Sequence, residues 1–265
     1  MTMMSKPQPA PRDTDALTQD GFLGGRLRLW QPRHGYRAAT DPVLLAAAIP
    51  AQAGDQVLDL GCGVGAAALC LAARVSDLQL TGLEVQLDYA ALARRNAAET
   101  ALPLDVLTGD VTAPPAHLRA RQFDHVLTNP PFYGPSATTA PNDPGRDQAH
   151  REGAAGLEAF IDLALKRLRP GGTVTVIHRA ERLGDILACL APRTGDARVL
   201  PLAARAGRAA KRVIVQARKD QRGPLVLLAP LILHEGAIHE RDGASYTSPV
   251  RGILEDAQAL SLDPQ

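Results

Sequence analysis

The feature that most constrains this chain is a regular alternation of short apolar segments with helical patterns from residue 56 onwards. Apolar runs of strand length lie at 56–60, 78–83, 104–108, 123–128 and 173–178. Segments with the length and spacing of helices lie between or after them, at 66–74, 87–100, 156–168 and 181–190. Such alternation indicates an α/β fold around a mostly parallel sheet with helices packed against it. Three later apolar runs predict further strands at 199–202, 212–218 and 225–231.

The chain of 265 residues suits one large domain with small additions. Residues 1–19 are polar and rich in proline, which predicts a disordered tail. Residues 20–50 predict a hairpin followed by a helix, because Thr40-Asp41-Pro42 supplies an N-cap at Asp41 and proline at the first helical position. Residues 51–260 then form the main domain. Within it, 133–156 lacks periodicity, which indicates a functional loop.

Composition narrows the classes of function. Lys and Arg number 29 against 28 Asp and Glu, so a nucleic-acid enzyme would have to concentrate its basic residues locally. The three cysteines have no CxxC or metal-ligand spacing, which predicts reduced thiols in the cytoplasm and no metal site. No apolar run reaches the length of about 18 residues that a membrane span needs. The number of subunits is left open.

A glycine-rich turn follows the first predicted sheet strand. Gly61, Gly63 and Gly65 stand between that strand and a helix, where they allow tight turning and close approach of the backbone to a ligand. Dinucleotide-binding enzymes use a similar turn. Asp59 lies just before the first glycine, however, where its carboxylate would repel a pyrophosphate and attract a cation. The pattern therefore favours S-adenosylmethionine, whose methionine end is cationic.

Two further acidic residues follow the next two strands. Glu84 ends the second strand, a placement suited to hydrogen bonding both ribose hydroxyls of the cofactor. Asp110 follows the third strand and is placed to hold the adenine amino group. The carboxyl ends of parallel strands meet at one edge of the sheet, so these acids and the glycine turn are expected to form one site. Taken singly, each acid is equally well explained as a solvated cap.

Asn129-Pro130-Pro131-Phe132 follows another buried strand at the same edge. The two prolines remove backbone donors, so that the Asn129 side-chain oxygen and the Pro130 carbonyl remain as acceptors. This pair suits an NH2 group conjugated to a ring or carbonyl. The lone pair of such a group is delocalised, and hydrogen bonds to both of its protons draw the nitrogen toward sp3 character. Phe132 offers a face for a planar group to stack on. Asn129 is therefore predicted to act in catalysis and to lie beside the cofactor.

Together these motifs resemble the Rossmann-like class I methyltransferases that carry an (N/D/S)PP(Y/F/W) motif. Within that class, the chain from about 20 to about 260 resembles the bacterial family that methylates N6 of the adenine beside the anticodon of valine tRNA. The resemblance is carried by 20–32, 35–45, Asn129 to Tyr133 and 211–215. It implies a seven-stranded sheet with a reversed final hairpin. It also implies that Thr40 and Asp41 belong to a lid over the cofactor, which is compatible with an N-cap role for Asp41.

An RNA substrate, expected to be tRNA, requires cationic contacts. The predicted substrate-binding residues are Tyr133, Arg146, Arg151, Arg208, Lys211 and Arg212. Other candidate contacts are Arg26, Arg28, Arg33, His150 and Arg205. Phosphate contacts by such residues would make binding salt-dependent, and the target adenine would have to leave its stack.

Two other functions fit parts of the sequence. A protein methyltransferase acting on the carboxamide of glutamine would use the same Asn-Pro-Pro arrangement, although such enzymes usually have Tyr after the prolines and a larger N-terminal domain. A non-catalytic module that only binds S-adenosylmethionine would keep the fold, although retention of Asp59, Glu84, Asp110 and Asn129 argues against it.

Overall fold

The computed structural model describes residues 16–131, 156–236 and 245–263. A mostly parallel sheet with helices on both faces forms its centre, as the alternating pattern predicts. Its seven main strands are, in chain order, β3 Gln56–Leu60, β4 Gln79–Glu84, β5 Asp105–Thr108, β6 Phe123–Thr128, β7 Leu168–Arg179, β8 Thr194–Ala203 and β9 Arg212–Lys219. Their spatial order across the sheet is β8, β9, β7, β6, β3, β4 and β5.

Among the described strands of this sheet, only β9 runs against its neighbours, since it is antiparallel to both β7 and β8. This is the reversed final hairpin that the resemblance implies. The late strand predicted at 225–231 is wrong as one element. It consists of two two-residue strands, β10 (Val226–Leu227) and β11 (Leu231–Ile232), which each pair with β8 and bring the sheet to nine strands.

Seven α-helices occur in the part of the chain that the structure describes. They are α1 Thr40–Ala47, α2 Ala66–Arg74, α3 Leu87–Thr100, α4 Ala116–Arg119, α5 Gly156–Arg167, α6 Leu183–Leu190 and α7 Ser248–Asp256. Sequence reasoning missed α4 and α7, although Pro249 in the first turn of α7 is a recognisable start signal. The N-cap prediction for Asp41 is wrong, because α1 already begins at Thr40 and no side chain caps it.

Alternation along each strand divides the core between the two faces of the sheet. Val57 and Ile177 pack with α1, α2 and α3 on one face, whereas Leu58 and Val176 pack with α5 and α6 on the other. Both faces of these strands are therefore covered, which explains why they appear in sequence as continuous apolar runs. In open α/β sheets of this kind, ligands bind outside the carboxyl ends of the strands.

The predicted hairpin is present as β1 (Leu17–Phe22) and β2 (Leu27–Pro32). The predicted disordered tail therefore extends too far, since residues 17–19 belong to β1. Asn96 of α3 ties the hairpin to the main domain: its Oδ1 accepts from the Trp30 amide at 2.8 Å, and its Nδ2 donates to the carbonyls of Trp30 and Val64 at 3.1 and 3.0 Å. Since Val64 lies in the glycine-rich turn, this contact fixes the N-terminal segment relative to the predicted site.

Candidate active site

The glycine-rich turn connects β3 to α2 at the carboxyl edge of the sheet. Gly61, Gly63 and Gly65 have φ angles of 71°, 55° and 84°, in the left-handed region that favours glycine. A Cβ on Gly65 would lie 3.0 Å from a Leu104 methyl carbon, and one on Gly61 would lie 3.1 Å from the Phe160 ring. The turn therefore needs glycine for its conformation and its close packing.

Asp59 lies beneath this turn and is only 3% exposed. Its Oδ2 is buried without a hydrogen-bond partner among the described residues. Burial raises the pKa of this carboxyl from its ordinary value of 3.8 to about 7, opposed by a hydrogen bond from the Ala68 backbone at the start of α2, while the negative charge of Glu84 raises it further. A buried carboxylate with an unused oxygen suits a cationic ligand group, such as the ammonium of S-adenosylmethionine.

The raised pKa has a consequence for stability in the cofactor-free protein. Asp59 ionises near pH 4 in the unfolded chain and near pH 7 in the folded one, so its charge destabilises the fold progressively across that interval. Asp59→Asn is expected to increase the free energy of unfolding by roughly 2–3 kcal/mol more at pH 8 than at pH 5. Urea unfolding of both proteins at the two pH values measures this difference. An equal effect at both would show that Asp59 titrates normally.

Glu84 ends β4 beside the same turn, with 6% of its surface exposed. Its Oε2 accepts from the Gly63 amide at 2.8 Å and its Oε1 from the Gln86 amide at 2.9 Å. Burial raises the pKa of this carboxyl despite these hydrogen bonds. Just beyond it, Val85 and Leu87 are 50% and 72% exposed, although both are large apolar residues. Sequence reasoning did not single out these two exposed apolar side chains, and ribose binding by Glu84 stays a prediction.

Asp110 follows β5, where the Gly109 amide donates to the Glu84 carbonyl at 2.9 Å. The structure thus places Asp110 at the same edge as Glu84. Its Oδ1 accepts from both the backbone amide and the hydroxyl of Thr112 at 2.8 Å. The carboxylate therefore closes a local turn. Contact with an adenine amino group stays a prediction.

Asn129 follows β6, directly beside the glycine turn. The Thr128 hydroxyl donates to the Leu60 carbonyl at 2.8 Å, which joins the ends of β6 and β3. The Asn129 carboxamide donates through Nδ2 to the Tyr36 hydroxyl at 3.3 Å. Its Oδ1 is buried and has no hydrogen-bond partner among the described residues. Pro130 is buried and Pro131 half-buried. The predicted acceptor therefore lies beside the predicted cofactor turn with its oxygen unused.

Tyr36 belongs to the segment between the hairpin and α1, and its ring lies against the glycine turn. A Cβ added to Gly63 would be 3.8 Å from Tyr36 Cε1. Burial raises the pKa of its phenol, and the charges of Asp41, Asp59 and Glu84 raise it further. Sequence reasoning did not name Tyr36 as a site residue. A tyrosine shortly before a helix carries no signal that its side chain contacts both the glycine-rich turn and Asn129, which are distant in sequence.

The predicted lid residues Thr40 and Asp41 form the first turn of α1. Asp41 Oδ2 accepts from Arg212 Nε at 3.1 Å, an ion pair in which the two side chains are 25% and 30% exposed. Arg212, predicted to contact RNA, is thus engaged in joining α1 to β9. Cofactor binding by Thr40 and Asp41 stays a prediction.

The remaining basic candidates have different environments. Arg208 and Lys211 are exposed in the loop from β8 to β9, which lies at the carboxyl edge because β8 runs parallel to β7. The proposal that Arg205 contacts RNA is wrong, since Arg205 is 9% exposed and donates to the carbonyls of Glu235 and Gly236. Arg26 pairs with Asp256, and Arg28 donates to Gln19. Phe132, Tyr133, Arg146, His150 and Arg151 lie outside the described residues.

The described ranges (16–131, 156–236 and 245–263) contain no group of three or more His, Cys, Asp or Glu side chains positioned to hold a metal ion. None of the helices in those ranges is both long and apolar enough to cross a membrane.

Comparison with known proteins agrees with this geometry. Residues 39–188 match the family model described as methyltransferase small domain. The chain is 31% identical over 178 residues to a tRNA1(Val) (adenine(37)-N6)-methyltransferase of Yersinia enterocolitica, covering 66% of this chain and 69% of the relative. It is 28% identical to the protein of the same name from Dickeya chrysanthemi, covering 92% and 96% of the two chains.

Solved structures give the same fold. A predicted O-methyltransferase from Agrobacterium tumefaciens superposes with a TM-score of 0.67 at 28% identity, over 84% of this chain and all of that one. A 16S rRNA guanine N2 methyltransferase of T. thermophilus, solved with the cofactor and guanosine, superposes with a TM-score of 0.53 at 22% identity, over 77% of this chain and 50% of that one. At that identity the second likeness shows the fold alone.

Fold and site together define the class, an S-adenosylmethionine-dependent methyltransferase with a Rossmann-like sheet. More particularly, the chain belongs to the methyltransferase small domain family.

Proposed function

We propose that this enzyme methylates N6 of an adenine in RNA, and that the RNA is a tRNA. The single observation that carries an amine target is the buried Oδ1 of Asn129, an acceptor without a partner among the described residues, located beside the cofactor turn. An acceptor at that point suits a nucleophile that still carries protons. The relatives from Yersinia enterocolitica and Dickeya chrysanthemi, named as tRNA adenine-N6 methyltransferases, support adenine as the target.

S-adenosylmethionine, when bound, supplies the methyl group carried on its sulfonium sulfur. Asp59, whose Oδ2 has no partner among the described residues, would hold the cationic end of that molecule, and the buried Glu84 would hold its ribose. In this proposal Asn129 Oδ1 and the Pro130 carbonyl each accept one proton of the adenine amino group. These hydrogen bonds would localise the nitrogen lone pair. The methyl group would pass to that nitrogen as its bond to sulfur breaks, and the amine would then lose one proton to water.

Orientation and electrostatics account for catalysis in this arrangement, because the amine needs no deprotonation before transfer. An alcohol nucleophile would need a base within hydrogen-bond reach of its proton. Asn129 cannot act as that base, since a carboxamide is not protonated near neutral pH. This chemistry favours an amine over the oxygen acceptor named for the structural relative from Agrobacterium tumefaciens.

Adenine and the glutamine carboxamide both present a conjugated NH2 group, so Asn129 alone does not choose between them. We assign Phe132 as the stacking face for the base, with a contribution of about 1–3 kcal/mol by analogy with other base–aromatic contacts. This assignment, together with the adenine named for the relatives from Yersinia enterocolitica and Dickeya chrysanthemi, favours a nucleic-acid substrate.

Recognition of the RNA is assigned to basic residues at the carboxyl edge of the sheet. Arg208 and Lys211 are exposed there, in the loop that leads into β9. Arg212 adds its charge near Asp41, and Tyr133, Arg146 and Arg151 complete the proposed surface from the chain that follows Pro131. Thr40 and Asp41 are assigned to the cofactor side of the same cleft, with Asp110 at the adenine of the cofactor.

An enzyme acting on tRNA would work in the cytoplasm.

Removal of one exposed charge from this surface tests the assignment. Arg208→Ala is expected to weaken tRNA binding and to reduce the slope of log affinity against log salt concentration by about 1, since each phosphate contact releases about one counterion. Arg222→Ala is the matched control, because Arg222 is also exposed but follows β9 at the opposite edge of the sheet. Binding titrations at several salt concentrations measure both slopes. Equal slopes in the two variants would place the RNA elsewhere.

The substrate class is tested by transfer of tritiated methyl groups to three acceptors in parallel: total tRNA, total rRNA and a release factor. The tRNA should come from cells that lack this gene, so that its target site is unmodified. We expect label in tRNA alone. Label confined to the release factor would assign the enzyme to glutamine, and cofactor binding without transfer to any acceptor would favour a non-catalytic module.

A further inference from the structure

We propose that Tyr36 is a positioning residue that holds the Asn129 carboxamide with its oxygen toward the substrate amine. The inference deepens the proposed function and rests on it for the identity of the amine. It assigns Tyr36 no contact with the reacting atoms. Its basis is the hydrogen bond that joins the two side chains across 93 positions of sequence.

The two ends of the Asn129 carboxamide have different environments. Nδ2 donates to the Tyr36 hydroxyl at 3.3 Å. Oδ1 is buried without a partner among the described residues. The donor end is therefore occupied by the protein, and the acceptor end is left for a ligand. This is the distribution that an amine substrate requires.

The opposite orientation would be unproductive. The oxygen and nitrogen of a carboxamide have nearly the same size, so only hydrogen bonds select one orientation over its 180° flip. A hydroxyl can serve either orientation, as acceptor for Nδ2 or as donor to Oδ1. In the flipped state the Asn129 NH2 group would face the substrate NH2 group, and neither could accept from the other. Something must therefore orient the phenol.

Acidic residues around Tyr36 provide that orientation. The charges of Asp41, Asp59 and Glu84 act on the phenol strongly enough to raise its pKa beyond the effect of burial. The same negative field favours the O–H bond pointing toward the carboxylates, with the oxygen lone pairs directed away from them. Asn129 Nδ2 then meets an acceptor. The acids that hold the cofactor thus also select the orientation of the asparagine.

The N-terminal segment holds Tyr36 in this place. The Tyr89 hydroxyl of α3 donates to the Tyr36 carbonyl at 3.0 Å. The neighbouring Arg37 donates to the Pro32 carbonyl at 2.9 Å and pairs with Asp20 at 2.6 Å, which anchors the segment to the hairpin. The hairpin therefore acts on the site through Tyr36, which gives a physical reason for the segment that precedes the first sheet strand.

The first test is spectroscopic and uses no substrate. The chain contains only three asparagines, Asn96, Asn129 and Asn142, so protein labelled with 15N-asparagine gives three side-chain amide pairs. Asn129→Ala assigns the pair of interest. In Tyr36→Phe we expect the Asn129 amide protons to exchange with water at least several-fold faster than in the wild type, while the Asn96 pair is unchanged. Tyr246→Phe, which removes the hydroxyl of a tyrosine stacked on His234, should leave all three pairs unchanged.

The second test is kinetic. Tyr36→Phe should lower kcat about 5- to 30-fold, as expected for one lost hydrogen bond, while the Kd for S-adenosylmethionine stays within twofold. In an Asn129→Asp background both side-chain oxygens are acceptors, so no orientation is left to select. Adding Tyr36→Phe there should change kcat less than twofold. A residue that only supports packing would cause the same loss in both backgrounds.

The spectroscopic and kinetic tests distinguish an incorrect role for Tyr36 from an incorrect substrate assignment. Unchanged exchange of the Asn129 amide in Tyr36→Phe overturns the inference, whatever the substrate is. Loss of cofactor affinity equal to the loss of kcat also overturns it, because Tyr36 would then act through cofactor binding. Faster exchange together with methylation of an acceptor other than RNA would retain the role of Tyr36 and reject the substrate assignment. If Asn129→Asp is inactive, the hydrogen exchange of the Asn129 amide and the cofactor affinity, both measured in Tyr36→Phe, decide the outcome.

Discussion

Replacement of Asn129 by alanine is expected to lower kcat for methyl transfer by at least about 10²–10³-fold, the effect typical of removing one preorganised hydrogen-bonding group at a reacting centre. The reason is the loss of Oδ1, the buried acceptor beside the cofactor turn. Affinity for S-adenosylmethionine should change less than about threefold, since Asp59 and Glu84 remain. Single-turnover kinetics and calorimetry measure the two quantities separately.

A matched variant makes this result specific. Asn129→Asp retains an acceptor at the same position and should keep more activity than Asn129→Ala, although its charge alters the site. Wild-type turnover in Asn129→Ala would contradict the mechanism. A large loss of cofactor affinity in the same variant would instead assign Asn129 mainly to cofactor binding, one of the two roles that its sequence position predicts.

Replacement of Asp59 by asparagine is expected to weaken cofactor binding at pH 7.5 by roughly 30-fold or more, since one partner of a buried charge pair is lost. In the wild type, the pKa of about 7 means that binding of a cation below that pH first requires loss of a proton. Affinity should therefore rise nearly tenfold per pH unit between about pH 5.5 and 6.5. The Asp59→Asn variant should lack this dependence.

Glu84 must be separated from Asp59 in this experiment, because its pKa is also raised. Glu84→Gln should weaken binding through the ribose yet keep the pH dependence that Asp59 causes. Calorimetric titrations of the three proteins from pH 5.5 to 6.5 distinguish the two acids and stay below the region where an α-amino group titrates. A pH dependence that persists in Asp59→Asn and disappears in Glu84→Gln would assign the cation to Glu84.

Much of the fold was predictable because the central strands are covered on both faces. Val57 and Leu58 point to opposite faces and both are buried, so their strand appears as an apolar run that ends at the glycine turn. Parallel pairing predicts that the acids and the asparagine share one edge of the sheet, whereas their order along that edge comes from the strand order β6-β3-β4-β5. The smaller strands were not predictable, since β10 and β11 have two residues each and depend on contact with β8.

The sequence predicts which loops form the site, but it does not predict most of the side-chain contacts within it. Asp59 lies near the end of β3, Glu84 ends β4 and Asn129 follows β6, so the carboxyl ends of these parallel strands bring all three to one edge of the sheet. The roles of Arg205 and Arg212 could not be predicted from the sequence. An arginine in a basic run looks the same in sequence whether its side chain is exposed, donates to buried carbonyls as Arg205 does, or pairs with Asp41 as Arg212 does. Tyr36 reaches Asn129 only through tertiary packing, which no local pattern encodes.

The most direct measurement of the central claim identifies the methylated nucleoside. Unmodified tRNA is incubated with the enzyme and S-adenosylmethionine labelled in its methyl group, then digested to nucleosides and separated by chromatography with mass detection. The account predicts label in N6-methyladenosine and its absence when Asn129→Ala replaces the wild type. Label in a ribose-methylated nucleoside or a methylated guanosine, or no labelled nucleoside at all, would contradict it.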